Sequence, residues 1–350
     1  MNSYNKCNLF ISMFYIFGFV VCLVLMNGKI NHSITISSAQ YNSSDLGNHN
    51  ASRDLVHSHY NQYRLMMDRQ INSGGTGERQ KFRWLYKSFE TSIYSVLERE
   101  LPLKNIGKYL VLMHYTVIMF LSFLLSIKIF DFLKKLQHKD RQIKITNAVI
   151  FFSIYQFVLL STNLNEWFTF IELFALLLAI YSSLKKNIFL LIVAIILGVS
   201  NRESGMVLGL VYPLLHYKNM STRFIFLLIT LPFVFFSIIN YDIVSEFYRL
   251  VFYGALDDEF RVSLFKLSTF SYVTIGELIN YFFTYVVFLF PLIYMLTKLP
   301  KSDLTNWARS ISAMYILIIL FGSYIGNFIL LLLLLPSYIL VFSIYQEKVV

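Results

Sequence analysis

The chain is short of cysteine and of charge. Its only thiols, Cys7 and Cys22, lie at or inside the first apolar run, so neither a disulfide framework nor a cysteine metal site can be built. Charged residues make up 14% of the 350 positions, against roughly 25% in ordinary globular chains. The sequence contains no Gly-rich phosphate loop, no Ser-His-Asp signature, no zinc-ligand spacing and no repeat of fixed period. Acidic residues are the scarcer sign, 20 against 30 Lys and Arg for a formal +10. In an apolar chain that surplus reflects cytoplasmic flanks and anionic lipid, so no nucleic-acid partner is read from it. What the chain has in excess is apolar side chains, 56% of the total with 34 Phe and 24 Tyr and a mean hydropathy of +0.58. One compact core does not bury that much, and a water-soluble fold is excluded.

Apolar segments recur at about 9–27, 107–131, 145–162, 167–184, 188–200, 204–217, 223–240, 276–297, 309–325 and 328–345. They predict an all-α fold, a polytopic transmembrane helical bundle of about ten spans. The first run follows Lys6 without a small-x-small cleavage site and reads as a retained anchor. Basic residues cluster at 128–144, at Lys185 and Lys186, at Lys218 and Arg223, and at Lys298, Lys301 and Arg309. With all of them inside, both termini are cytoplasmic and the turns Asn163 to Glu166 and Gly326 to Asn327 are outside. The chain thus divides into an N-terminal anchor over 1–27, an external loop over 28–106 and a transmembrane bundle over 107–350 with a second external loop at about 241–274. Within the first loop, Asp54 to Ile71 and Lys87 to Leu101 carry apolar residues at spacings of three and four and predict two amphipathic juxtamembrane helices on the membrane surface.

The most informative segment is Asn187 to Tyr217. Two apolar stretches of about 13 residues flank Asn201-Arg202-Glu203-Ser204-Gly205, and each rises only about 20 Å against a hydrocarbon core of about 30 Å. The polar turn is therefore expected below the outer membrane surface, where an Arg and a Glu are costly and mark a functional site. Arg202 offers planar bidentate donors suited to a phosphate, and Glu203 suits orienting it or binding a hydroxyl. The bland reading is a hairpin turn whose charges snorkel outward. Glu172, about one turn into the fourth segment, either snorkels to the outer interface or partners Arg202, and Glu277 reads as interfacial. In the long loop, Asp45, Asp54, Asp68, Glu78, Glu90, Glu98 and Glu100 compete as general base, and composition does not choose among them. His57 and His59 diverge by about 200° on a helix and make poor joint metal ligands. Lys81-Phe82-Arg83-Trp84-Leu85 reads as an interface anchor or as a contact to lipid phosphate.

These features together resemble the GT-C superfamily of integral-membrane glycosyltransferases. Phe82-Arg83-Trp84-Leu85 is similar to a Phe-x-Tyr-Arg-x-Leu element at the end of the first loop of many bacterial members. Thr169 to Leu178, Lys185-Lys186 and Leu197 through Gly205 resemble their leucine-rich span, basic turn and Asn-Arg-Glu-Thr run. The resemblance covers about residues 50–217. It implies a polyprenyl-phosphate-linked sugar as donor, a cell-surface glycan or lipid as acceptor, the bilayer as partner and a bacterial inner membrane as location. It also implies that Arg202 and Arg83 bind the donor phosphate, with Asn201, Glu203 and Glu172 in support. Members usually place the catalytic carboxylate shortly after the first span, whereas this loop has none before Asp45. Asp54, heading the first surface helix, is the best carry-over as base, with Asp68 as alternative. No metal ligand set is assigned, and a divalent cation stays open as cofactor.

Two other functions fit parts of the pattern. An O-antigen or exopolysaccharide polymerase shares the spans and the lipid-pyrophosphate chemistry but carries its large loop in the second half of the chain. A lipid or sugar carrier would line its path with Arg202 and Glu203, yet only one pair of short helices is visible.

Overall fold

The computed structural model describes residues 13, 15–28, 106–134, 150–156, 168–201, 203–239, 275–321 and 328–345. Among these residues all regular structure is helical, in ten helices. They are α1 (Tyr15–Gly28), α2 (Ile106–Lys134), α3 (150–156), α4 (Phe168–Lys185), α5 (Ile188–Asn201), α6 (Leu208–His216), α7 (Thr222–Ile239), α8 (Ile275–Lys298), α9 (Asp303–Phe321) and α10 (Leu335–Tyr345). Short 3-10 turns occupy Glu203–Val207, Tyr217–Asn219 and Phe328–Leu334. Each apolar segment read from the sequence holds one of these helices. One stretch, Thr116–Leu133 of α2, is both long and apolar enough to cross a membrane, and the apolar stretches in α1, α5, α7, α8 and α10 are shorter. The two expected loop helices, with Asp54, Asp68 and Arg83, and the second external segment lie outside the described residues, as does Arg202.

Helix α4 is the centre of the bundle. Its sequence is apolar on every face, and such a helix must be covered all round. It packs against α5, α2, α6 and the Phe328–Leu334 turn, which buries Leu173 and Ala175 through Ile180. A seam of aromatic rings holds α1 and α3 to α2. Phe123 lies 5.1 Å from Tyr15, 5.5 Å from Phe19 and 5.0 Å from Phe152, largely in the edge-on arrangements that ring quadrupoles favour. The outward faces are apolar, with Phe17, Phe226, Phe282 and Phe290 each more than 60% exposed. The inward faces hold buried Ser122, Ser126, Ser182, Ser200, Asn201 and Glu172. The described helices thus turn large apolar residues outward and bury polar ones between them.

Local chemistry sets the turns. After α4, Lys186 adopts φ 55°, its N–H bonds the Ser183 carbonyl at 3.2 Å, and the Asn187 N–H bonds the Ser182 carbonyl at 2.9 Å. This pair of bonds is a Schellman motif with lysine where glycine is usual. Asn187 then caps α5 by accepting the Leu190 N–H at 3.1 Å. Because the left-handed conformation penalises a β-carbon, Lys186→Gly is expected to hold or raise the thermal midpoint of the detergent-solubilised protein. Lys186→Val is expected to lower stability by about 1 kcal/mol at the same position.

Among the described residues, Lys185, His216, Lys218 and Arg309 each tie helix ends to a neighbour. Lys185 lies over the Phe132 ring at 4.9 Å, His216 Nε2 meets the Ser183 carbonyl at 2.8 Å, and Lys218 bonds both carboxylate oxygens of Asp303 at 2.7 and 2.9 Å. These contacts join the ends of α2, α4 and α6 to the start of α9. Arg309 donates to the carbonyls of Leu296 at 3.0 Å and Leu299 at 2.7 Å, placing a cation at the C-terminus of α8, where the helix dipole favours it. The hydrogen bond and charge of Asp303 raise the Lys218 pKa above its ordinary 10.5. A raised lysine pKa means the pair contributes through neutral pH and is lost only as pH climbs past the ordinary lysine range.

Candidate functional site

The site forms where the α5–α6 hairpin turns back against α4. From Lys185 to Glu172 along α4 is 13 residues, and from Ile188 to Asn201 along α5 is again 13. At about 1.5 Å per residue both climb about 20 Å from the Lys185–Lys186 turn, so the two polar positions arrive at one level. Contact follows from that register: the Ser204 hydroxyl donates a hydrogen bond to Glu172 Oε1. Glu172 is fully buried, as are Asn201 and Ser200 at the top of α5. Glu172 is thus buried with Ser204 as a partner, while its expected partner Arg202 lies outside the described residues. A buried carboxylate is strongly disfavoured without hydrogen bonds, which Ser204 supplies in part.

Two glycines allow the turn to close. A β-carbon on Gly205 would overlap the backbone of Gly198 and Val199, so the hairpin is stitched backbone to backbone at this point. Lower down, a β-carbon on Gly209 would strike the Leu228 carbonyl and the Pro232 ring, which places α6 directly against α7. Helix α6 is then held from two sides, by His216 on α4 and by the Trp307 indole N–H, which donates to the Val211 carbonyl at 2.7 Å. The polar turn is carried on a short, firmly braced hairpin.

Of the residues expected to form the site, the structure brings Glu172, Asn201 and the backbone of Glu203 to this turn. The side chain of Glu203 and the residues Arg202, Arg83, Asp54 and Asp68 lie outside the described residues. Three residues given no role in the sequence reading also lie here. Ser204 bonds Glu172 directly. Thr169, one turn before Glu172, and Tyr315 on α9 are buried with hydroxyls that have no hydrogen-bond partner among the described residues. For Ser204 the signal was its place in the polar run; for Tyr315 a phenol inside an apolar helix was the only cue. A divalent cation asks for about six oxygen ligands, and the described residues group no three His, Cys, Asp or Glu side chains. No reaction step is therefore assigned to a metal.

Chemically, a buried carboxyl group bonded by a serine hydroxyl is a fixed polar anchor at the base of a polar turn. It suits holding a neighbouring cation, or a hydroxyl-bearing group, in fixed orientation. Comparison with known proteins finds no matching family model, no matching curated protein and no matching solved structure.

Proposed function

We propose that the chain is an integral-membrane glycosyltransferase of the GT-C kind, with about ten spans, both termini cytoplasmic and a bacterial inner membrane as its location. It moves a sugar from a polyprenyl-phosphate donor to an external glycan or lipid acceptor. The observation that supports this reading most is the buried Glu172–Ser204 hydrogen bond, which anchors the turn bearing Asn201, Arg202 and Glu203 about 20 Å from the Lys185–Lys186 turn. In the reaction, an acceptor hydroxyl attacks the anomeric carbon and gives its proton to Asp54, or to Asp68 in its place. The anomeric C–O bond to the carrier phosphate breaks, and that phosphate leaves with the bonding pair. Arg202 and Arg83 meet the charge that develops on it, and Glu172 and Glu203 orient the cation.

The test separates three classes of function. Purified full-length chain in proteoliposomes is given, in separate reactions, polyprenyl-phosphate monosaccharides with acceptor-bearing lipid extract and polyprenyl-pyrophosphate oligosaccharides. Release of polyprenyl monophosphate with addition of single sugars is the expected result. Release of polyprenyl pyrophosphate with chain elongation would replace the proposal by a polymerase, and lipid translocation without release by a carrier.

A further inference from the structure

Beside Asp303, away from the hairpin turn, a cleft of about 270 Å³ opens between α6, α7 and α9. Its wall is mostly apolar, formed by Leu210, Leu214, Ile225 and Ile229 with Trp307, and carries the Ser310 hydroxyl on α9. The Trp307 N–H is already committed to Val211, so Trp307 leaves the cleft no free donor. The mouth is polar and holds Asp303 and Asn306, with Tyr217 beside them. Along α9 the lining runs from Asp303 to Ser310, seven residues or about 10 Å. The cleft is therefore elongated parallel to the helices, charged at one end and mostly apolar along its length, which suits an amphiphile.

The charges at the mouth are paired. Lys218 and Asp303 are each 56% exposed and bond one another, with Lys218 also near the Tyr217 ring at 5.9 Å. An ion pair this exposed is loosely held and exchanges readily with a headgroup carrying the same two charges. Asn306 accepts from Arg309 through its Oδ1 at 3.2 Å, which leaves its amide N–H groups as donors. The mouth thus offers a cation and an amide donor suited to a phosphate, and a carboxylate suited to an ammonium. An anionic lipid satisfies only the first half and meets Asp303 as a repulsive neighbour.

We infer that this cleft binds one phospholipid with a primary-amine zwitterionic headgroup, of the phosphatidylethanolamine class, its phosphate on Lys218 and Asn306, its ammonium on Asp303 and one acyl chain along Leu214, Ile225 and Ile229. The inference needs the chain to lie in a membrane but does not depend on the transfer reaction.

Full-length protein is stripped of lipid in detergent and titrated with phosphatidylethanolamine, phosphatidylcholine and phosphatidylglycerol of identical acyl chains. Bound lipid is counted by native mass spectrometry, and thermal unfolding is followed in parallel. One phosphatidylethanolamine is expected to be retained per chain. Phosphatidylcholine, whose quaternary nitrogen donates no hydrogen bond to Asp303, should bind about tenfold more weakly, the scale of one charge-assisted hydrogen bond. Asp303→Asn should bring phosphatidylethanolamine down to the phosphatidylcholine level, since the Ser302 cap of α9 remains to hold the helix start. Equal retention of all three lipids would reduce the cleft to a surface groove filled by bulk lipid and overturn the proposal. Tighter binding of phosphatidylglycerol would overturn it in favour of a plain cationic patch. Should Asp303→Asn fail to fold, the headgroup series on the unaltered chain decides alone. Because the readout is lipid retention, either failure leaves the transferase proposal standing, and failure of transfer leaves the lipid site standing.

Discussion

Under the proposed transferase reaction, Arg202→Lys is expected to lose about a hundred- to a thousandfold of the transfer rate, or about 2.7 to 4 kcal/mol, although the charge is kept. The reason is geometric. A guanidinium presents two parallel N–H groups to a phosphate from a planar fork, and an ammonium is a point charge on a flexible stem. Glu172 is buried and hydrogen-bonded by Ser204, so the turn following Asn201 is braced from α4. Glu203→Gln should cost less, because it removes a charge that orients and not one that meets the leaving group. Asp54→Asn examines the opposite side of the reaction, where a general base contributes about a hundred- to ten-thousandfold. The measurement is transfer of labelled sugar from lipid-linked donor in membranes holding each variant at matched levels. Near-normal turnover by Arg202→Lys would remove the phosphate-holding role, and near-normal turnover by Asp54→Asn would move the base to Asp68 or another loop carboxylate.

The helices were legible in the sequence because each is a continuous apolar run, and composition reports burial in lipid or core without reference to the rest of the fold. Their ends were less so. Helix α9 starts at Asp303, before the apolar segment placed at 309, because Ser302 and Thr305 cap it reciprocally: the Ser302 N–H meets Thr305 Oγ1 at 2.8 Å and the Thr305 N–H meets Ser302 Oγ at 3.2 Å. A hydropathy window misses a polar first turn, while the cap itself is a local signal. The fate of Glu172 was not local. Whether it snorkels or pairs depends on two helices climbing the same distance from Lys185 and Ile188, and on a partner 32 residues away. The pattern of α4 gives no hint, since that helix is apolar nearly all round and has no single buried face. The glycines of the hairpin were visible as letters, yet their meeting across the turn is a tertiary fact.

Gly205→Ala is expected to cost the protein its fold, with little material recovered from membranes and a large fall in the thermal midpoint of what remains. The added methyl would fall on the Gly198 carbonyl carbon and oxygen and on the Val199 nitrogen. These are backbone atoms of α5, so no rotamer change relieves the overlap, and the turn must move as a body. Overpacking that side chains can absorb costs about 1 to 3 kcal/mol, and this contact sits at or beyond the upper end of that range. Moving the turn also draws Ser204 from Glu172, and a buried carboxylate that loses a hydrogen bond carries a further penalty of about 1 to 3 kcal/mol. Gly28→Ala is the matched control, because nothing lies within 4 Å of a β-carbon there. Ser204→Ala separates the two contributions, since it removes the hydrogen bond and leaves the Gly198–Gly205 contact untouched. If Gly205→Ala accumulated and melted like the parent while Ser204→Ala did not, the hairpin would be held by its polar bond, and the backbone contact would be incidental to it.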